Sequence, residues 1–504
     1  MFPSPDALAL PDPGDRHGLS ADSHAVALAC AVLWTFANTP LVHRLLTTNG
    51  LKTVAGKAFT AADVKGAVQD LRQQGMLEDD SSRNQGAFKL VDALRVPLYR
   101  QLLQANPGDT LAHLIATLHH FNPGRSDYYW SLGGMAATIG YVRAKFLSGA
   151  PADELHQLRN SVGRSMDWNT VVIEGLLKGF DGQSFEHIEP TTRWQLAGRA
   201  VASTCLYWSS TFEPVVDWSI EQLARQPAQF PTELRHAIGD LAMQRGDTPL
   251  WKIALAGADN DGVGHALDAA RRVMDAEWAN GQAAFETALK QRRAAIGGNK
   301  HLLPPSVAWF YPLALLAQAT PRHLELARKF CAGESGKRDP SPYSDWGRWV
   351  HAIDVRLGKT PLLREAFQPP VNLANTWPMD TFWTVLLAAW LGTEAIAGTH
   401  QKDFARKWQP AIADLRRRME ACRLHALPRM LDGAEAVLDG RDPPRGFFAS
   451  GAREQWRDIL AALRALGEER NDDGVADTTR IVWEIERDAH GRLLGIKPLE
   501  QKHG

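Results

Sequence analysis

The chain has 504 residues, and a hydrophobic fraction of 44% is large enough for a sizeable core, so wholesale disorder is excluded. Lys and Arg number 56 against 57 Asp and Glu. A global cationic field for nucleic acid is therefore absent, and any such contact must be local. Length predicts roughly two to four domains or one extended repeat array, and the four cysteines show no paired spacing for zinc or redox chemistry: Cys30, Cys205, Cys331 and Cys422.

The start of the chain shows no targeting signal. A positively charged segment and a long apolar segment are both absent from MFPSPDALALPDPGDRHG. No later stretch reaches about eighteen uncharged apolar residues, the length that a membrane-spanning helix requires. Four prolines and few apolar residues predict a flexible arm over residues 1–21. We expect a cytoplasmic protein without membrane contact.

Residues 22–95 predict a winged-helix-like module. Apolar positions from His24 onward suit a helix that Pro40 interrupts, and a short second helix continues beyond it. A third helix begins after Thr60, which is placed as its N-cap, with Asp63 positioned to reach back to it. The module therefore starts with three helices.

A β-hairpin is predicted next. Gly75 stops the third helix, and two short apolar runs at 76–77 and 88–91 flank the polar turn EDDSSRNQG. Three helices followed by a hairpin form the outline of a winged helix. This outline has two interpretations, a DNA-binding module and a packing or protein-contact module.

DNA contact would come from three cations of this module, Lys57, Lys65 and Arg72. Phosphate contacts supply most non-specific affinity for DNA. Several carboxylates in the third helix and in the wing oppose such contacts, and both interpretations stay open: Asp63, Asp70, Glu78, Asp79 and Asp80.

Residues 96–466 predict an α-helical repeat array, an irregular α-solenoid with tetratricopeptide-like helix pairs. Helical patterns follow one another, and tryptophans are single and widely spaced, which is typical of large fillers between stacked helices. No single period fits the whole array, so the repeats are unequal. The most basic helix lies around Arg416 to Arg429, and we interpret it as a solvated face.

The clearest repeat unit runs from Gly281 to Ala319. Its first helix carries an apolar stripe through Phe285 and Leu289 and ends at Gly297. Its second helix is predicted to start at the proline pair 304–305. The segment VAWFYPLALLA is apolar almost all round, which predicts a helix buried on most sides. Such a pair needs neighbours to cover its apolar faces.

The last segment, residues 467–504, predicts a polar loop and a β-hairpin. Ile481, Trp483 and Ile485 alternate with polar residues, which is typical of a strand. A turn at 488–491 then leads to a partner strand over 493–496.

Two stretches resemble a known family. The run AAFETALKQRRAAIGG with LPPSVAWFYPLALLAQA, and the pair RIVWEIE and IKPLEQK, are similar to the N-terminal region of bacterial Swi/Snf-type helicase-like ATPases, in helicase superfamily two with the DEAD/DEAH-box enzymes. The resemblance implies tetratricopeptide-like repeats ahead of a motor domain. It also implies that the hairpin leads towards that motor, with Arg480, Trp483 and Lys497 facing it. By this resemblance the chain looks like the N-terminal portion alone.

No residue is predicted to be catalytic, to hold a cofactor or to ligate a metal. The only approach to a phosphate-binding loop is Gly358-Lys359-Thr360, where Ile353 stands in place of the required first glycine. The pair His119 and His120 lacks a third ligand at helical spacing. We therefore expect no enzymatic activity from this chain.

Two functional hypotheses follow. The first is a non-catalytic scaffold or regulatory region of a Swi/Snf-type DNA-dependent ATPase, which docks a protein partner or the motor and reaches DNA only through the N-terminal module. The alternative is a stand-alone winged-helix transcriptional regulator in which the helical array senses a ligand or partner.

Overall fold

The computed structural model describes residues 19–80, 86–103, 106–121, 134–163, 166–256, 262–298, 301–318, 320–373, 376–391, 401–441, 483–487 and 493–498. Regular structure in this part of the chain is mainly helical, as predicted. The chain divides into two compact units. The first contains residues 1–200 and 214–219, and the second contains 201–213 and 220–504.

The first unit begins with the predicted helices α1 (Ala21–Leu33), α2 (Thr39–Thr48) and α3 (Ala61–Gln73). The Thr60 hydroxyl accepts the Asp63 N–H, and the Asp63 carboxylate accepts the Thr60 N–H, so the predicted capping box is confirmed. The role predicted for Pro40 is wrong. Helix α1 already ends at Leu33, and Pro40 lies in the first turn of α2, where its missing N–H leaves no helical bond unmade.

The predicted hairpin is present as β1 (Leu77–Asp79) and β2 (Phe88–Leu90), an antiparallel pair in which Leu77 faces Leu90. Phe88 also forms an antiparallel bridge with Ala37, a residue between α1 and α2. The bridge has two backbone hydrogen bonds of 2.8 Å. It fixes the hairpin against the helical part of the module.

Six further α-helices of the described residues lie wholly in the first unit: α4 (Asp92–Leu103), α5 (Pro107–His119), α6 (Met135–Leu147), α7 (Ala152–Val162), α8 (Trp168–Val172) and α9 (Gly182–Phe185). Their core contains two buried guanidinium groups. The Arg143 guanidinium carbon lies 3.5 Å from the centre of the Trp34 ring, and that of Arg95 lies 5.0 Å from it. Burial lowers the pKa of Arg143 to about 10.

Helices α10 (Pro190–Tyr207) and α11 (Glu213–Arg225) cross the boundary of the units. The second unit then contains α12 (Thr232–Arg245), α13 (Thr248–Leu255), α14 (Val263–Met274), α15 (Trp278–Ile296), α16 (Phe310–Gln318), α17 (Pro321–Ser335), α18 (Asp345–Arg356), α19 (Pro378–Leu391), α20 (Gln401–Ala421) and α21 (Pro428–Leu438). From α14 to α19 each helix packs on the next, and α14 also contacts both α12 and α16.

The predicted repeat unit corresponds to α15 and α16. Phe285 and Leu289 are buried, Gly297 ends α15 with a φ of 70°, and α16 is buried from Phe310 to Ala317. The predicted start of α16 at 304–305 is wrong, since those prolines precede a turn and the helix begins at Phe310.

Seven of the fourteen tryptophans whose burial is described are buried in the core, and six more are half-buried. Trp349 and Trp383 are buried, and the Trp309 ring stacks on Trp346 with ring centres 3.7 Å apart. Trp377 is an exception, with 54% of its surface exposed.

The predicted C-terminal hairpin is also present. Strands β3 (Trp483–Arg487) and β4 (Leu493–Pro498) are antiparallel. The predicted arm lies almost entirely outside the described residues, and the predicted loop before the hairpin lies wholly outside them.

Candidate functional site

The three cations predicted to contact DNA have different environments. Lys57 and Lys65 are exposed. The Arg72 guanidinium donates to one Asp79 carboxylate oxygen at 2.7 and 2.9 Å, and its carbon lies 5.5 Å from the centre of the Phe88 ring. Arg72 therefore links the end of α3 to the hairpin, and its charge is already paired within the module.

The same module also carries acidic groups on its surface. Lys89 pairs with Glu78 at 2.9 Å. Hydrogen bonds from the Thr60 hydroxyl and the Thr60 N–H lower the pKa of Asp63, so this carboxylate stays charged at the start of α3. The exposed surface of the module is thus of mixed charge.

The residues predicted to face a motor can be placed only in part. Trp483 faces Pro498 and Lys497 faces Glu484 in the register of β3 and β4. Arg480 lies outside the described residues.

The strongest cluster of buried polar side chains surrounds Asp240. Its carboxylate accepts hydrogen bonds from Ser306 and from Gln244, the latter at 3.0 Å. Burial raises the pKa of Asp240, and burial also raises the pKa of Cys205 well above its usual value. Because Asp240 is only 8% exposed and its partners are a hydroxyl, an amide and a thiol, the cluster fits a structural network in the core.

No group of three or more His, Cys, Asp and Glu side chains that could hold a metal ion occurs among the described residues. Nor does any helix in the described ranges combine the length and the apolar character that crossing a bilayer requires.

A surface pocket of about 320 Å³ lies in the second unit. It is formed by the end of α12, the first turn of α13, the last turn of α14, the turn between α20 and α21, and the start of α21. Met243, Met274 and Trp251 provide apolar wall surface. The volume is at the lower end of the range for small-molecule sites, about 300 to 1,000 Å³.

The rim of this pocket is charged. Arg271 lies between two carboxylates, with Asp268 and Asp275 each 3.1 Å away. His425 and Arg429 are exposed, and no described carboxylate lies within ion-pair distance of either side chain. Two cationic or protonatable groups therefore face solvent beside an apolar wall.

Long-range contacts hold the pocket open. Glu213 accepts two hydrogen bonds from the Arg245 guanidinium, at 2.7 and 2.8 Å, and another from Arg423 Nε at 3.1 Å. The Ala426 N–H donates to the Gln244 carbonyl at 3.1 Å. These contacts tie the turn between α20 and α21 to the end of α12. We call Glu213, Arg245 and Arg423 the arginine clamp.

Arg423 has a φ of 59°, in the left-handed region. Glycine is the usual residue in this position after a helix, because a side chain there is strained. Strained backbone persists where the surrounding structure determines it. In this conformation the Arg423 side chain contacts Glu213.

The predicted basic helix around Arg416 to Arg429 is wrong in extent, because α20 ends at Ala421 and a turn precedes α21 at Pro428. Arg416 pairs with Asp432 at 2.7 Å, and Arg418 pairs with Asp414 at the same distance, so part of its charge is neutralised. The clamp and the pocket were missed, because the partners are up to 210 residues apart along the chain. The local sequence contains one indication of these contacts, the excess of Arg over acidic residues around Arg416 to Arg429.

Comparisons of the chain with protein-family models, with curated proteins and with solved structures find no match. The relationship to Swi/Snf-type ATPases therefore stays a prediction from the two sequence stretches.

Proposed function

We propose that this chain is a non-catalytic helical scaffold that docks a protein partner. The observation that carries the proposal is the packing order of the second unit. Each helix from α14 to α19 contacts the next, and α12, α14 and α16 contact in alternate order. This order is typical of helix pairs in an irregular α-solenoid with tetratricopeptide-like repeats, whose extended surfaces bind other proteins.

The contacts and exposure of the side chains favour a docking role rather than catalysis. Asp240 and the clamp carboxylate Glu213 are both engaged in contacts between structural elements. The exposed aromatic side chains Tyr343 and Trp377, at 57% and 54%, are of the type that dominates protein interfaces.

In the full proposal the scaffold is the regulatory or targeting region of a bacterial Swi/Snf-type DNA-dependent ATPase, or a separately encoded partner of one. It acts in the cytoplasm. Binding of a protein or nucleoprotein to the scaffold biases a motor that acts elsewhere.

Two measurements test this proposal. The purified chain should not hydrolyse ATP, with or without duplex DNA, and DNA-stimulated hydrolysis would contradict the scaffold role.

In cells, a photo-crosslinking amino acid at Tyr343 should capture one dominant protein, which must then bind the purified chain. A crosslinker at the exposed Val54 in the first unit is the matched control. Equal capture at both positions would refute specific docking by the helical array.

The alternative is a winged-helix transcriptional regulator, and one observation favours it. Ala37 bridges Phe88, so a short extended segment between α1 and α2 adds to the hairpin. The order of elements is compatible with a winged helix: one helix, an extended segment, two helices and a hairpin. In that case the full chain binds duplex DNA in a salt-dependent manner.

The test of this alternative compares two cations. Lys65→Ala should lower duplex affinity and reduce the salt slope by about one, as expected for loss of one phosphate contact. Lys402→Ala, at an exposed position in the second unit, should leave both unchanged. Absence of duplex binding at low salt would exclude the alternative.

A further inference from the structure

We infer that the pocket at the ends of α12 and α14 binds the C-terminal carboxylate of a protein partner together with the apolar side chain of the partner's last residue. This inference rests on the proposed docking function, and it names the chemistry that the partner must bring.

The pocket offers apolar surface and a cation side by side. Met243, Met274 and Trp251 line its wall, while His425 and Arg429 lie at its rim. A chain terminus combines the two matching features in one residue, an anion on the backbone and an apolar side chain on the same Cα. A pocket of about 320 Å³ suits a ligand of this small size better than a folded surface.

The charges at the rim favour one carboxylate over a polyphosphate or a nucleic acid. Asp247 and Asp275 also line the pocket, and Arg271 is already paired with Asp268 and Asp275. The Arg245 guanidinium is occupied by Glu213. Among the described residues, no carboxylate pairs with the Arg429 guanidinium, which is therefore available to a ligand, and His425 lines the same pocket. This arrangement can neutralise a single carboxylate, and its two acidic residues repel a chain of phosphates.

The shape of the pocket is set before a ligand arrives. The arginine clamp and the hydrogen bond from the Ala426 N–H to the Gln244 carbonyl hold the turn that carries His425, and Arg429 follows this turn at the start of α21. A preformed site loses little conformational freedom on binding, so even a short peptide can bind measurably. Arg429 can donate two parallel hydrogen bonds to a carboxylate, which a lysine cannot.

The experiment uses the full chain and acetylated tetrapeptides ending in Leu, Ile, Met or Phe, each with a free C-terminal acid or a C-terminal amide. Isothermal titration calorimetry should show binding of at least one acid. The matching amide should bind at least tenfold more weakly, because it lacks the charge that Arg429 pairs with.

Variants assign the binding to the pocket. Arg429→Met should weaken acid binding at least tenfold, and Arg429→Lys should retain part of the affinity, since it preserves the charge. Arg406→Met removes a cation that is 83% exposed on α20 outside this pocket, and it should change nothing. Arg429 is exposed, so equal melting temperatures of the variants should confirm that they are folded.

Three results would overturn the inference: no binding of any acid at millimolar concentration, equal affinity for acid and amide, or unchanged affinity in Arg429→Met. Binding of inorganic phosphate or duplex DNA through Arg429, without binding of the acids, would also overturn it. If the protein captured at Tyr343 binds Arg429→Met and the native chain equally and the peptides fail, only the pocket inference falls. If no protein is captured and the chain hydrolyses ATP, the scaffold proposal itself falls.

Discussion

The arginine clamp allows a sharp test of what holds the second unit together. Glu213→Gln removes the charge of the carboxylate but keeps the size of the side chain. The Arg245 side chain is only 8% exposed and the Glu213 side chain 14% exposed, so the variant leaves a buried guanidinium without its counter-ion. The Arg423 side chain is 47% exposed and depends much less on Glu213.

The loss of stability expected for each clamp variant follows from this difference in burial. Removing one partner of a buried ion pair typically costs about 3–5 kcal/mol. We expect about 3 kcal/mol for Glu213→Gln, because the pair is not fully buried and the glutamine oxygen still accepts one hydrogen bond. Loss of the exposed Arg423 arm costs about 0–1 kcal/mol. Arg423→Gly also relieves the strain of a non-glycine residue at a φ of 59°, so it should be nearly neutral.

Amide hydrogen exchange of residues 422–428, measured by mass spectrometry, reports the loss of stability in the turn between α20 and α21. The Ala426 N–H, which donates to Gln244, reports the opening of the turn. A cost of about 3 kcal/mol corresponds to exchange roughly a hundredfold faster in Glu213→Gln. Arg423→Gly should stay within a few-fold of the native chain. Equal acceleration in both variants would refute the assignment of the stabilisation to the buried Arg245 arm.

Two further predictions concern the core. Burial raises the pKa of Asp240, so the folded state favours the neutral acid, and stability is lost as pH rises from about 4 through the folded pKa. The melting temperature of Asp240→Asn relative to that of the native chain should therefore increase as pH rises above about 4, and a pH-independent difference would contradict a carboxyl whose burial disfavours its charged form. Gly281→Ala should destabilise the α14–α15 pair by about 1–3 kcal/mol in urea unfolding, since a Cβ there would lie 2.6 Å from Val273 Cγ2 and 3.2 Å from the Ala269 carbonyl oxygen. Its matched control, Gly333→Ala in α17, has no heavy atom within 4 Å of the new Cβ and should stabilise by about 0.5–1 kcal/mol; a loss of stability there as large as that at Gly281 would show that close helix packing is not the cause.

Features that depend on neighbours in sequence were predictable. The capping box of Thr60 and Asp63, the end of α15 at Gly297 and the buried face of α16 follow from residue types at short spacing. The two hairpins follow in the same way from alternation between turn residues. Pro40 was misjudged because a proline can either end one helix or occupy the first turn of the next, and residue type alone does not decide between them.

The sequence by itself determined that this chain forms many helices with apolar faces, because periodicity and capping are local properties. Only the tertiary structure decided which charges are neutralised. Glu213 meets Arg423 across 210 residues, and that contact fixes the turn between α20 and α21, which lines the pocket through His425 and Ala426. Pairing of this kind depends on how the helices pack in space, and a helical period carries no information about which distant turn will lie beside it.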